Sequence, residues 1–226
     1  MNSKIEQLKE DYNEEEQLET SKKRPKKNSK SCKILIFVTI ISCLLNIFLF
    51  YKLLTKKDFL NLSESRFALR QFSNKPIEQE KIDKLLRVAQ ISPTAENKQP
   101  QKIYIITKDE DRKKLKTVTK YTFNAPMFFL VCCDKNIAWK HKTEDYISTE
   151  IDGSIVTTHI ILEAHDLGLG SVIVRSFETQ KLKDLFKIPE NMIPIALLPL
   201  GYPKEGAKPS KLHFQKKDVK EMVEYL

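Results

Sequence analysis

The sequence predicts an α+β sandwich, a mixed central sheet flanked by helices, preceded by one membrane-spanning helix. Three features predict it. The uncharged run ILIFVTIISCLLNIFLFY occupies residues 34–51. Short apolar runs of strand character alternate with segments of helical period over the C-terminal three quarters of the chain. One of the helical segments, Ile151 to Leu167, is apolar nearly all round, the mark of a central helix.

Residues 1–33 are polar and charged, with Glu14–Glu16 followed by a basic cluster from Lys22 to Lys33. That composition buries no core and predicts a disordered tail. Adding Leu53 and Leu54 to the apolar run brings residues 34–54 to the roughly 20 residues that cross a hydrocarbon core. The long preceding tail and the missing small-residue cleavage pattern argue against a signal peptide. A single-pass membrane protein is expected, with lipid as partner of residues 34–54. Residues 55–60 are expected to be a linker and residues 61–226 one domain.

Within that domain Glu78–Gln90 carries Ile82, Leu85, Leu86 and Ala89 on one helical stripe. Lys102–Thr107 reads as a strand and Asp109–Thr119 as a polar helix. Met127–Cys133 (MFFLVCC) is a strand buried on both faces. Gly168 ends the central helix at the position that favours a left-handed residue. Ser171–Val174 reads as a buried strand, Lys181–Phe186 as a short helix stopped before Pro189, and Ile195–Leu200 as a last strand.

The chain carries 39 Lys+Arg against 30 Asp+Glu, a formal charge of +9. The surplus is spread along the chain, which suits an anionic cofactor or membrane surface. No basic stripe interleaved with aromatics occurs, so nucleic acid is not an expected partner. Cys132 and Cys133 are adjacent in a strand and point to opposite faces, so they form neither a disulfide framework nor a metal site. His141, His159, His165 and His213 show no ligand spacing, and no metal is expected. There is no glycine-rich phosphate loop and no nucleophile motif. A chain without catalytic machinery of its own can borrow it from a cofactor.

Several segments indicate which cofactor. They are Arg66-Phe67-Ala68-Leu69-Arg70-Gln71-Phe72, Ser92-Pro93-Thr94-Ala95-Glu96-Asn97-Lys98-Gln99-Pro100, the helix entry Asp152 with Ile155, Gly168-Leu169-Gly170-Ser171, and Gly201-Tyr202-Pro203. In this order they resemble the nitroreductase family of FMN-dependent NAD(P)H oxidoreductases, over roughly Glu64 to Val223. The form here is short, with an expected membrane anchor added. The resemblance implies a nitroreductase-like sandwich and a domain-interlocked homodimer with FMN at the interface.

It also implies roles. Arg66 matches a phosphate ligand, and Lys208 and Lys211 match a basic pair returning to that phosphate; a solvated tail is the competing reading for the lysines. Arg70 matches a cation at the pyrimidine edge of the flavin, where it favours the reduced anion. Phe67, Ala68, Gly168, Leu169 and Gly170 fall on cofactor-contacting backbone. Asn97 matches an amide to the ring, and Pro93, Thr94 and Ala95 match a loop arriving from the partner subunit. The chain departs from the family pattern at Ala68, where a serine is usual, and at Arg175 and Ser176, beside the reactive side of the flavin. Trp139, Lys142 and Tyr146 match the region that forms a substrate lid.

The reaction implied is ping-pong hydride transfer: NAD(P)H reduces FMN and leaves, and a small conjugated acceptor such as a nitroaromatic or quinone then takes the electrons. Two other readings stay open. One is a reductive dehalogenase of the iodotyrosine deiodinase type, in which Lys142, Glu144 and Tyr146 would grip a zwitterion. The other is a non-catalytic membrane-tethered flavin-binding module. The side of the membrane also stays open. Basic residues near the span, seven before and five after, favour a cytoplasmic N-terminus, whereas NAD(P)H chemistry favours a cytosolic C-terminal domain.

Overall fold

The computed structural model describes residues 29–54 and 58–226, apart from the side chains of residues 29–32, 49 and 51–54. The expected tail over residues 1–33 lies outside the described residues up to residue 28. The chain divides into two units, residues 1–56 and 57–226.

In the first unit, helix α1 spans Ser29–Leu54. Its described side chains from Lys33 to Phe48 are all exposed, with Ile34, Phe37 and Leu44 at 60% or more. Among the described residues, however, no helix is long and apolar enough to cross a membrane. The expected single-pass anchor over residues 34–54, its lipid partner and the membrane localisation are therefore corrected. The helix forms as expected, over Ser29–Leu54, but it does not combine the length and apolarity that a span of roughly 20 residues requires.

The second unit opens with α2 (Phe59–Ser65), which begins inside the expected linker and is capped by the Asp58 carboxylate accepting from the Leu60 N–H at 3.2 Å. Helix α3 covers Gln79–Ile91 and buries the predicted stripe of Ile82, Leu85 and Ala89. Strand β1 (Gln101–Ile106) follows, then α4 (Asp109–Leu115), with three acidic residues in its first turn and three basic ones in its last. That order complements the helix dipole. Strand β2 (Met127–Asp134) is buried at every position. The central helix α5 spans Thr149–Asp166 and buries Val156, Ile160, Ile161 and Ala164. It ends where predicted: Gly168 takes φ +75°, a conformation with no cost only for glycine. Strand β3 (Gly170–Ser171), α6 (Thr179–Phe186) and β4 (Met192–Gly201) complete the regular elements.

The four strands lie in the order β1-β2-β4-β3, and every paired neighbour is antiparallel. The expected mixed sheet is thus corrected. The β1–β2 connection through α4 leaves Ile106 and re-enters beside its own partner, Phe128, a return at one end of the sheet. Helix α5 carries the chain back along the sheet from Asp134 to Gly170, but β4 lies between β2 and β3, so no parallel neighbours result. The only parallel pairing among the described residues is the isolated bridge Ala68–Ser171. Strand β3 is also shorter than the predicted Ser171–Val174. The next position in register on β4 is Pro199, which has no N–H to donate, and pairing resumes only at the single bridge Val174–Leu197. Pro194 is accommodated by a register shift between Val131 and Cys132, where prolines in sheets are tolerated.

The sheet separates two cores. One face packs on α3 and α5 through Phe129, Val131, Leu198 and Leu200. The other covers Phe128, Leu130, Cys132 and Leu197 with α4 and α6. Cys132 and Cys133 are fully buried, and burial pushes both thiols up to about 12. A group whose folded value is raised stabilises the fold below its unfolded value and loses that contribution as pH rises through the folded one. Stability from these thiols is therefore complete below about pH 9 and declines towards pH 12. In a full-length Cys32→Ser/Cys43→Ser variant, a thiol-reactive dye at pH 8 should label neither remaining cysteine until denaturant is added. Prompt labelling of the native protein would contradict this burial.

Candidate functional site

Three groups of predicted residues occupy three places in the second unit. The first is built on the chain leaving α2. Arg66 ends that helix, its N–H donating to the Leu62 carbonyl at 3.2 Å, and the backbone then runs extended. Ala68 bridges Ser171, and the Leu69 N–H donates to the Ser171 carbonyl at 3.0 Å. This joins the arginine segment to the turn after α5. Gly170 is required there, because a Cβ would stand 2.3 Å from a Leu69 methyl. Further on, Phe72 bridges Pro203, the Ser73 N–H donates to the Tyr202 carbonyl, and the Lys204 N–H donates to the Gln71 carbonyl. Phe67 meets the His213 ring edge-on at 6.4 Å, bringing in the turn that carries Lys211. Segments far apart in sequence thus meet at Ala68–Phe72.

A cleft of about 310 Å³ opens beside this junction, lined by Ala68, Arg70, Gly206, Lys208 and Ser210 among others. Among the described residues no carboxylate pairs with Arg66, Arg70, Lys208 or Lys211. Among the described residues the Arg70 guanidinium makes one hydrogen bond, to the Ala68 carbonyl at 3.4 Å. Other cations are engaged by carboxylates, as Lys84 is by Glu80 and Lys114 by Asp111. A cleft flanked by uncommitted cations and backbone fits an anionic ligand. Its ordering owes much to Tyr202, whose hydroxyl donates to the Glu78 carboxylate and whose ring lies 4.0 Å from the Lys75 ammonium. The tyrosine bond, then a backbone hydrogen bond and after it Lys75, lowers the Glu78 carboxyl to about 2.

The second group surrounds Asp152 in the first turn of α5. This carboxylate is 1% exposed. One oxygen accepts from the Ala95 N–H at 2.9 Å and the other from the Ser148 hydroxyl at 2.6 Å. It thereby fixes the loop of Pro93, Thr94, Ala95 and Asn97 on the central helix. Glu96, Asn97 and Gln99 in this loop all have positive φ, near 50°, a conformation that must be held by its surroundings in non-glycine residues. The Thr94 hydroxyl accepts from the Gln99 N–H at 3.0 Å, and the Gln99 side-chain amide donates to the Asn97 side-chain Oδ1 at 3.2 Å.

The third group is the segment before α5. The Trp139 N–H donates to the Ser148 hydroxyl at 3.1 Å, and the Ser148 N–H returns to the Trp139 carbonyl at 2.9 Å. Lys140 bridges Ile147, closing a small hairpin in which Trp139 contacts His141 and Tyr146 ring to ring. Lys142 is exposed at its tip. The pin role of Ser148 and the contribution of His141, whose Nδ1 accepts from the Glu144 N–H at 3.0 Å, carried no motif in the sequence. Arg175 and Ser176 share no hydrogen bond with these three groups among the described residues; Arg175 is exposed with its guanidinium 5.1 Å from the Phe177 ring centre.

Asp152 therefore holds two candidate site segments through one carboxylate. Asp152→Ala should cost about 2–4 kcal/mol, from a lost charged bond plus a stranded donor, measured by urea unfolding. A change under about 0.5 kcal/mol, the size of an ordinary surface substitution, would remove it from this role.

Comparison with known proteins agrees with the geometry. The sequence model of the Nitroreductase family matches residues 64–125 and 120–202, more than half of the chain. A protein of Methanothermobacter thermautotrophicus, provisionally named an NADH dehydrogenase/NAD(P)H nitroreductase, is 30% identical over 175 residues, covering 72% of this chain and 89% of its own length. An FMN reductase [NAD(P)H] of Bacillus subtilis is 24% identical over 164 residues, covering 64% of this chain and 66% of its own length. The crystal structure of a nitroreductase family protein from Clostridium difficile superposes with a TM-score of 0.71 at 35% identity, covering 75% of this chain and 98% of that one. With the arginine segment, the turn after the central helix and the Gly201-Tyr202-Pro203 strand end joined at one backbone junction beside a cleft, and with the family's sequence pattern running through all of them, this chain belongs to the nitroreductase family.

Proposed function

We propose that this protein takes two electrons from NAD(P)H and delivers them to a small conjugated acceptor such as a nitroaromatic or quinone, and that it does so as a homodimer. The chain is an NAD(P)H-dependent flavin oxidoreductase, and FMN is its cofactor. The observation that carries the reading is the cleft beside Ala68–Phe72, where uncommitted cations meet backbone from three distant segments. When bound, FMN supplies the hydride-accepting chemistry that the side chains lack.

In this reading residues 61–226 form the flavin domain. Arg66, Lys208 and Lys211 hold the phosphate, with guanidinium and ammonium donors replacing a glycine cradle. Arg70 lies at the ring and favours its reduced, more negative form. Phe67, Ala68, Gly168, Leu169 and Gly170 supply a closely packed backbone wall, so the serine hydroxyl missing at Ala68 is not essential. Arg175 and Ser176 flank the reactive side, and Trp139, Lys142 and Tyr146 contact the acceptor.

The loop Pro93, Thr94, Ala95 and Asn97 is held on α5 and shares no bond with the arginine segment among the described residues. That separation supports its acting in the partner's site. The outer face of α5 offers the matching surface: Ile151 is 56% exposed and, with Ile155 and Thr158, lines an open depression of about 510 Å³. Burial of such a face against a second copy accounts for a helix that is apolar nearly all round.

The purified full chain should be yellow, and NAD(P)H should bleach it, with a nitroaromatic or quinone restoring the colour. A colourless protein that takes up no added FMN would sink the reading. Arg66→Ala should weaken FMN retention by about 1.5–3 kcal/mol, the range for a charged hydrogen bond, in equilibrium dialysis; unchanged affinity removes Arg66 from the phosphate. Ile151→Glu should give monomers in sedimentation and lower flavin content. A flavin-loaded dimer of that variant would place the interface elsewhere.

A further inference from the structure

Beside the end of α4 and the start of α6 lies a second, open cleft of about 460 Å³, of whose lining residues only Ser176 has a role above. Lys116, Lys120, Tyr121, Ser176, Phe177 and Glu178 line it. Its cations are uncommitted. On α4, Lys113 and Lys114 pair with Asp109 and Asp111, whereas Lys116 and Lys120 pair with no carboxylate among the described residues. The one acid in the cleft, Glu178, is engaged by Lys181 at 3.4 Å, and Lys181 itself also donates to the Thr117 carbonyl at 2.7 Å. Two aromatic rings complete the lining, each with a cation beside it: the Lys120 ammonium is 5.3 Å from the Tyr121 ring centre, and the Arg175 guanidinium 5.1 Å from that of Phe177.

The walls are firm. The Thr119 hydroxyl donates to the Ser176 carbonyl at 2.6 Å, and the Glu178 N–H donates to the Val118 carbonyl at 3.0 Å. Two free ammonium groups on a fixed wall match a phosphate monoester, which carries close to two negative charges at neutral pH. Aromatic faces beside them suit a purine ring. Ser176 is shared with the reactive side of the flavin in the reading above, so a nucleotide seated in this cleft is within the same stretch of surface.

We propose that this cleft binds the phosphorylated adenosine end of NADPH, with Lys116 and Lys120 on the 2′-phosphate, and so makes NADPH the preferred donor. The proposal rests on the NAD(P)H reading of the protein and adds the choice between its two donors. The full-length flavin-loaded protein is titrated with adenosine 2′,5′-bisphosphate and with adenosine 5′-monophosphate by calorimetry. The bisphosphate should bind about tenfold or more tightly, and Lys116→Ala/Lys120→Ala should abolish the difference, the change expected for charged hydrogen bonds. The same double variant should raise KM for NADPH about tenfold, leave KM for NADH within about twofold, and keep kcat and flavin content. Equal affinity for the two nucleotides, or a preference that survives in the double variant, overturns the proposal. The flavin spectrum of each preparation separates the two claims. A colourless protein refutes the oxidoreductase reading, whereas the titration decides what the cleft binds in either case.

Discussion

The Asp152 carboxylate is the constraint on which the rest of the site depends. It sits almost wholly out of water at the first turn of the central helix, and each of its oxygens is used. A buried charge is tolerable only when its hydrogen bonds are made. Here the Ala95 N–H and the Ser148 hydroxyl make them, one from the loop after α3 and one from the hairpin before α5. Neither segment has a core of its own. The loop has three residues of positive φ and the hairpin is mostly exposed. Both borrow rigidity from the helix, which is in turn clamped between α3 and the sheet by Val156, Ile160 and Ala164.

The second organising fact is the distribution of charge. Several described lysines near helices, Lys84, Lys114 and Lys181 among them, are answered by carboxylates one turn away, and such exposed pairs contribute little to stability. Among the cations without a carboxylate partner, two sets line clefts. One holds Arg70 and Lys208 beside the junction of the arginine segment with the strand ends; the other holds Lys116 and Lys120 between α4 and α6. Cations without partners in a folded chain are available to an anion at no cost of breaking an ion pair. Flavin phosphate and a nucleotide phosphate are the anions that the nitroreductase chemistry brings.

Several errors of the sequence reading share one origin: pairing partners are invisible along the chain. The run Ser171–Val174 has strand composition, yet Pro199 opposite it ends the ladder after Ser171. A mixed sheet was a reasonable expectation from alternating helices and strands, but the helix between β1 and β2 is a short return at one end of the sheet. The expected anchor over residues 34–54 rested on composition alone, and no helix among the described residues meets the length and apolarity of a span.

By itself the sequence determined the elements with strong periodic or continuous apolar signals: α3, the central helix with its stop at Gly168, the strand β1 and the buried strands β2 and β4. It also determined the family, because the motifs at Arg66, Ser92, Asp152, Gly168 and Gly201 stand in the family's order. Those signals are local, and each is enforced by a periodicity or a backbone conformation that few residue types satisfy. Only the tertiary structure decided which motifs meet. It joined Ala68 to Ser171, Phe67 to His213 and Ala95 to Asp152, and it kept the loop of Thr94 and Asn97 away from the arginine segment. It alone showed that Lys116 and Lys120 are unanswered while Lys113 and Lys114 are not. Whether a cation is free depends on what folds against it, and no spacing along a chain records that.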